Sequence, residues 1–407
     1  LSLARTGGNA TVSGAIAVDM ASVEGLAATL FGPAALVDGS DVWPEGPIAQ
    51  GDETRRTRGT VTVSAGALTA GGVERLGKTG FELNWDETRT RLARFEAVAD
   101  LGSIGLDLTV CCAGPLADRT VSGRMTLATV PLDMVATPAV AGMLNGLVDG
   151  GVQFEATGGS LAELLGVMAG EGNFTLSGLT VEQLSPGIYP TVAGLEDVLN
   201  MEPEAMGGIM DRALGQGVFT APTATGAFTI AGGVVRLTNF IVDGAGASLA
   251  GDINLALADL GLGGGFVMTP RDFADTSGLV GPDTSRIVTQ LAGTLLAPVV
   301  TLDLREMIAA VLVRANEMEV ERLEILRAED AERQRAAAAE RNRLIEAQRR
   351  RAAEEAARLA AEEAARQAEE AERLQQQQQQ APQTSPTETL PPIEGLDLGL
   401  PPPVFSP

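Results

Sequence analysis

The chain is 407 residues long, 45% hydrophobic but only 3% aromatic, with 49 glycines, no histidine and a formal charge of −24. The missing histidine removes the commonest general base and metal ligand, and the acidic balance repels phosphate backbones, which argues against nucleic acid as a partner. Residues 305–374 hold 14 basic and 17 acidic side chains and the remaining tail holds three acids, which leaves −18 on residues 1–304, too acidic a surface to dock on anionic headgroups through a basic patch.

In chain order, the first helix is predicted over Ala21–Phe31. A short unit then recurs, glycine followed by alternating apolar and small polar residues. It appears at Gly59–Ser64, Gly123–Ala128, Gly172–Ser177, Gly226–Ala231 and Gly251–Ala256, and at Gly151–Ala156 shifted by one position. Period-two alternation marks a strand with one apolar face. That face carries Val61 and Val63, Met125 and Leu127, Phe174 and Leu176, Phe228 and Ile230, and Ile253 and Leu255. Threonine, serine and asparagine fill the other face, and Asp149-Gly150 and Asp243-Gly244 read as tight turns.

Three helical segments are expected among the strands. Val130–Val148 is one, limited by Pro131 and Pro138. Ser160–Ala169 is the best formed, because Ser160 and Glu163 make a capping box ahead of the stripe Leu161, Leu164, Leu165 and Met168. Thr191–Leu214 is the third, broken at Gly207-Gly208. Ala224–Met268 holds four strands: one around Phe228, then Val235–Val242, Ala247–Leu257 and Gly264–Met268, in an antiparallel meander because the links are too short for helical crossovers.

Arg305–Leu374 differs in kind. An apolar stripe of Ile308, Val311, Leu312, Ala315 and Met318 runs to about Leu326, followed by the near-repeats Ala352–Leu359 and Ala360–Gln367. An eight-residue repeat drifts by roughly 80° on an α-helix, so no continuous seam forms. Acid-first i,i+4 pairs such as Glu354–Arg358 and Glu362–Arg366 support a solvated single helix instead. Six glutamines and a proline-rich tail, residues 375–407, read as disordered. The expected domains are therefore a repetitive β-region over 1–304, a charged helix over 305–374 and that tail.

Catalytic chemistry finds no foothold in this sequence. The only lysine, Lys78, lacks Walker spacing, and Gly261–Gly265 reads as a turn with no helix behind it to hold a phosphate. Asp149, Asp243 and Asp252 lack calcium-loop spacing. The adjacent Cys111 and Cys112 read as small buried apolar residues, since strand neighbours point to opposite faces and a bridge between them is strained. No enzyme, metal or cofactor is expected. No apolar run reaches 18 residues, and a chain that opens directly into strand sequence at Leu1 is expected to have lost an N-terminal membrane anchor. The apolar strand face admits two arrangements: a core covered by a second layer, or an open sheet that binds acyl chains.

Several blocks resemble the C-terminal region of AsmA-family proteins of Gram-negative envelopes. They are Val42–Ile48 with its Trp43, the strand pair Gly59–Leu68, and Gly150–Gly158 followed by Ser160–Leu165 and Gly170–Leu176. The closing Leu291–Leu302 belongs with them, and the order of blocks is the stronger signal. The resemblance implies a mainly β fold, a long curved antiparallel sheet shaped as a groove, with a few short helices. It implies a periplasmic protein anchored to the inner membrane that passes phospholipid to the outer membrane, with acyl chains as ligand and no catalytic residues. The long helix and tail depart from the family pattern and are expected to meet envelope proteins. A structural or adhesin-like envelope β-protein with a helical spacer is the other reading.

Overall fold

The computed structural model describes residues 1–6, 9–37, 42–48, 55–112, 119–282 and 284–379. Its framework is a single sheet of sixteen strands that does not close on itself. The first strands are β1 (Ser2–Thr6), β2 (Asn9–Ser22), β3 (Thr57–Ala70), β4 (Val73–Leu76), β5 (Thr79–Trp85), β6 (Arg89–Ala99), β7 (Gly102–Cys111) and β8 (Arg119–Pro131). The rest are β9 (Leu144–Gly158), β10 (Ala169–Glu182), β11 (Val218–Ala231), β12 (Val234–Asp243), β13 (Ala247–Ala256), β14 (Leu262–Pro270), β15 (Ile287–Thr294) and β16 (Ala297–Asp303). Spatial order follows chain order from β1 to β16, with β4 set aside as a short partner of β3.

The meander is antiparallel except at one place. β2 and β3 pair in parallel, from Ala10↔Thr57 to Ser22↔Thr69. Parallel pairing needs a crossover of a dozen or more residues, and the link between these strands supplies it with α1 (Val23–Phe31) and a 3-10 turn at Pro33–Leu36. The N-terminal region therefore departs from the purely antiparallel expectation.

Three bulges share one construction. At each, a residue with φ near +50° interrupts one strand and an aspartate on the next strand accepts its backbone N–H. Arg94 donates to Asp107 at 3.3 Å, Thr129 to Asp149 at 2.9 Å and Asn239 to Asp252 at 2.7 Å. The register shifts at these points, between Leu92/Phe95, Leu127/Val130 and Leu237/Phe240. An inserted residue leaves an N–H outside the ladder, and the carboxylate satisfies it. Asp149-Gly150 is thus mid-strand rather than a turn, and Asp252 likewise lies inside β13. Asp243 does end its strand, where it accepts from the Ser248 hydroxyl at 2.8 Å and pairs with Arg271 at 2.6 Å. Of Gly261–Gly265, read as a turn, only Gly261 stays outside β14.

The helices are α1, α2 (Leu132–Val135), α3 (Pro138–Ala141), α4 (Leu161–Val167), α5 (Ile188–Ala193), α6 (Pro203–Gly215) and α7 (Arg305–Gln378). The cap predicted at α4 is present with its return bond shifted by one residue: Ser160 Oγ accepts from Glu163 N at 3.2 Å, and the Glu163 carboxylate accepts from Gly159 N, one position before the cap, at 2.8 Å. The helix predicted over Val130–Val148 is replaced by two single turns, because β8 runs through Pro131, Pro138 starts a new turn, and β9 begins at Leu144. The predicted break at Gly207-Gly208 does not occur. Met206, Met210 and Leu214 are buried on one side of α6, and that packing outweighs the weak helix propensity of two glycines. Ala21 and Ser22 belong to β2, and Ser22 caps α1 through Gly25 N at 3.0 Å.

The cysteine expectation is corrected. Cys111 is half-buried, Cys112 is exposed, and their sulfurs are bonded to each other. β7 ends at Cys111, so the pair sits where the chain leaves the sheet and strict alternation of side chains no longer holds.

Chain contacts divide the protein into two units, Leu1–Glu321 and the segment from Arg322 onward. The first turns of α7 belong to the first unit, with Met307, Val311 and Ala315 buried and Ile308, Leu312 and Met318 packed beside them. From Val320 to Gln379 every side chain is exposed. Gln375–Gln378, expected in the tail, continue α7, and the rest of the expected tail from residue 380 lies outside the described residues.

Candidate functional site

Residues paired across a ladder share a face of the sheet, so the register shows which of the ten predicted site residues lie together. One row crosses eleven strands with nothing but apolar residues and glycine: Val61–Leu83–Leu92–Leu108–Gly123–Phe154–Gly170–Ile230–Val235–Leu255–Leu262. The next row runs Phe95–Leu106–Met125–Val152–Gly172–Phe228–Leu237–Ile253–Gly264–Leu291–Val300. Val63 enters this second row through Phe81, whose ring stacks on Phe95 at 6.2 Å. Leu127 and Phe174 both pair with Gly150 in a third row, and Leu176 pairs with Val148 in a fourth. All ten candidates thus lie on one face, in four neighbouring rows.

The glycine that leads each repeat has a steric role beyond the turns assigned to it. A Cβ on Gly226 would come within 2.6 Å of Phe174 Cζ, and one on Gly123 within 2.7 Å of Phe154 Cζ. Gly172 likewise has no room for a Cβ beneath the Phe228 ring. Each phenylalanine therefore lies across the glycine of a neighbouring strand, which shields backbone that glycine would otherwise leave bare.

Helices cover the two ends of this face unequally. One cluster joins Leu30, Phe31, Ala35, Ile48 and Leu164 to Phe81, Leu92, Phe95, Leu108 and Ala156. A larger one joins α5, α6 and the start of α7 to Leu179, Phe219, Phe240, Leu249, Met268 and Ile287. Between them Val152, Phe154, Phe174, Leu176, Phe228, Ile253 and Leu255 are only half-buried, and Met125 retains 36% exposure. Val61 and Ile230 are buried in the sheet face. The Trp43 segment bonds to the chain just after two separate strands: its indole N–H donates to Leu257 O, after β13, at 2.6 Å, and Ile48 N donates to Gly159 O, after β9, at 2.8 Å.

The opposite face is more charged than predicted. Its central row reads Asp107–Arg124–Gln153–Glu171–Thr229–Arg236–Asn254, with Arg91 bonded to Asp107 at 3.3 Å. Two depressions of about 970 and 520 Å³ share Arg124, Gln153 and Glu171 and are lined mostly from this polar side. Charge changes sign along that row with Gln153 and Thr229 between, and the directly opposed pair Asp107–Arg124 stabilises the sheet.

Perturbed carboxylates belong to loops and caps. The Gly71 N–H holds Glu24 below its ordinary range, and the Thr88 and Arg89 N–H groups do the same for Asp86. Burial pushes Asp275 up, but hydrogen bonds from Ser277, Val280 and Leu279 outweigh it and leave the carboxyl lowered. Asp303 is lowered to about 2 by the Arg305 side chain and N–H. Among the described residues no group of acids and cysteines could hold a metal, and no helix is long and apolar enough to cross a membrane.

Sequence reasoning passed over Leu106, Val152, Phe154, Val235 and Leu237 in the rows, and with them Leu83, Leu92, Phe95, Leu108, Leu262, Leu291 and Val300. Val152 and Phe154 were within reach, because they are the apolar positions of the shifted unit Gly151–Ala156. No protein-family model, curated protein or solved structure matches the chain.

Proposed function

We propose that the protein binds phospholipid acyl chains along the apolar rows of its sheet and passes them toward the outer membrane. On this reading it is a non-enzymatic, AsmA-like protein of the Gram-negative periplasm, held at the inner membrane, whose curved sheet forms a groove. One observation carries the proposal: apolar or glycine positions continue without interruption across eleven strands, and the middle of that face is only half-covered. Burial of each CH₂ contributes about 0.8 kcal/mol, so such a path holds a chain without a specific polar site and lets it move in small steps.

The test replaces Phe174 and Phe228 together by Asp. Protein purified without detergent is extracted, and its lipid is counted by mass spectrometry against wild type. A folded double variant that has lost its lipid supports the groove. A folded double variant with unchanged lipid sinks it, and unfolding shows a closed core in which a charge is buried without a partner. The exposed length of α7 favours a second reading, a structural envelope protein whose helix and tail reach other envelope proteins as a spacer. Wild-type protein with no extractable lipid would select that reading.

A further inference from the structure

The chain has a single tyrosine, Tyr189, and its placement is unusual. The residue is 0% exposed, at the second position of α5, and its hydroxyl has no hydrogen-bond partner. Leaving a hydroxyl unsatisfied in an apolar interior is costly, and phenylalanine would fill the same space without that loss. A second orphaned hydroxyl belongs to Thr289 on β15, which pairs with Phe266 and Leu302. Both of those neighbours pack against the cluster that holds Tyr189.

That cluster is rich in methionine. Met206, Met210, Met268 and Met307 are each 0% exposed within it, and Met201 and Met318 pack against it. Methionine is unbranched and polarizable, so a methionine-lined interior re-forms around an inserted chain at lower cost than one of branched residues. The cluster also adjoins the half-covered rows directly, since Phe174, Leu176, Phe228 and Ile253 all pack on it.

We propose that the Tyr189 hydroxyl is a ligand-binding group, donating a hydrogen bond to the carbonyl oxygen of an acyl lipid whose chain lies among these methionines. This rests on the acyl-chain reading and adds a point of polar recognition to it. The group is fitted to the task. Burial pushes the phenol far above its ordinary value, so it stays protonated and remains a donor. A carbonyl at the junction of polar head and apolar chain is the acceptor that an isolated donor in such surroundings would take.

The test uses the full chain and two probes delivered from cyclodextrin, methyl oleate and octadecene, which differ in the ester group. Wild type should bind the ester about tenfold more tightly than the alkene, the equivalent of one hydrogen bond of about 1.4 kcal/mol. Tyr189→Phe should remove that preference, leave alkene binding unchanged, and melt at the same or a higher temperature because an orphaned group is gone. Equal ester binding by both proteins would overturn the inference while leaving the acyl-chain reading intact. A lowered melting temperature in Tyr189→Phe would also overturn it, since the hydroxyl would then have a structural partner. Binding of neither probe by wild type would overturn both.

Discussion

The glycine seats give the most direct test of how the apolar face is built. Gly226→Ala adds one methyl group within 2.6 Å of Phe174 Cζ and 3.1 Å of Leu237 Cδ1. Normal carbon contacts lie near 3.5–4.0 Å, so the ring must shift by about 1 Å. Overpacking of this kind costs roughly 1–3 kcal/mol, against about 0.5–1 kcal/mol regained because alanine suits a strand better than glycine. The net expectation is a loss of up to about 2.5 kcal/mol, read as a lower urea midpoint at constant slope. Phe174→Leu removes the ring, so in that background Gly226→Ala should be neutral or stabilising, and the double-mutant cycle should return about 1–3 kcal/mol of coupling. Gly208→Ala is the control. Nothing lies within 4 Å of its added carbon, and as a helix-interior position it should gain about 1 kcal/mol. Equal effects of Gly226→Ala in both backgrounds would refute the seat.

Four further expectations follow from caps and boundaries. Ser160→Ala removes the acceptor for Glu163 N and should cost about 1 kcal/mol in urea unfolding, with Ser160→Asp close to neutral. Asp303 has a folded-state value of about 2, below its ordinary 3.8. Its contact with Arg305 is therefore fully present above the ordinary value and lost as pH falls through about 2, which a carboxyl carbon titration would show as a midpoint near that pH. Truncation after Leu326 keeps Met307, Val311 and Ala315, so the free energy of urea unfolding should change by no more than about 0.5 kcal/mol. The isolated peptide Arg327–Leu374 should stay monomeric and lose helicity as salt screens pairs such as Glu329–Arg333, 3.7 Å apart. A stable peptide oligomer would show a packed seam instead.

Much of the sheet was legible because alternation is a local signal: the repeats from Gly59 to Ala256 lie on strands, and their apolar positions share one face. α4 was legible for the same reason, since Ser160 and Glu163 cap it within one turn. The bulges were not legible. Whether Asp149 sits in a turn or satisfies Thr129 N depends on a strand twenty residues away. The glycine seats were hidden likewise, because the ring over Gly226 belongs to residue 174. Of the candidate site, residue identities were visible in the sequence, but their coverage was not. The helices that bury one end, α5 and α6, pack there through residues such as Met206 and Met210, whose partners on β14 and α7 lie far along the chain.

The meander has one more consequence. Because nearly every strand pairs with its neighbour in sequence, adding or removing a hairpin would leave the remaining pairs intact, as in proteins that grow by stacking repeats. Neighbouring strands lie about 4.8 Å apart, so a row across eleven strands runs about 48 Å along the sheet, and a duplicated hairpin would lengthen it by about 9.6 Å. The reach of the apolar path is thereby a matter of strand number. Gene duplication can change it in even steps while the seats of phenylalanine on glycine repeat unchanged.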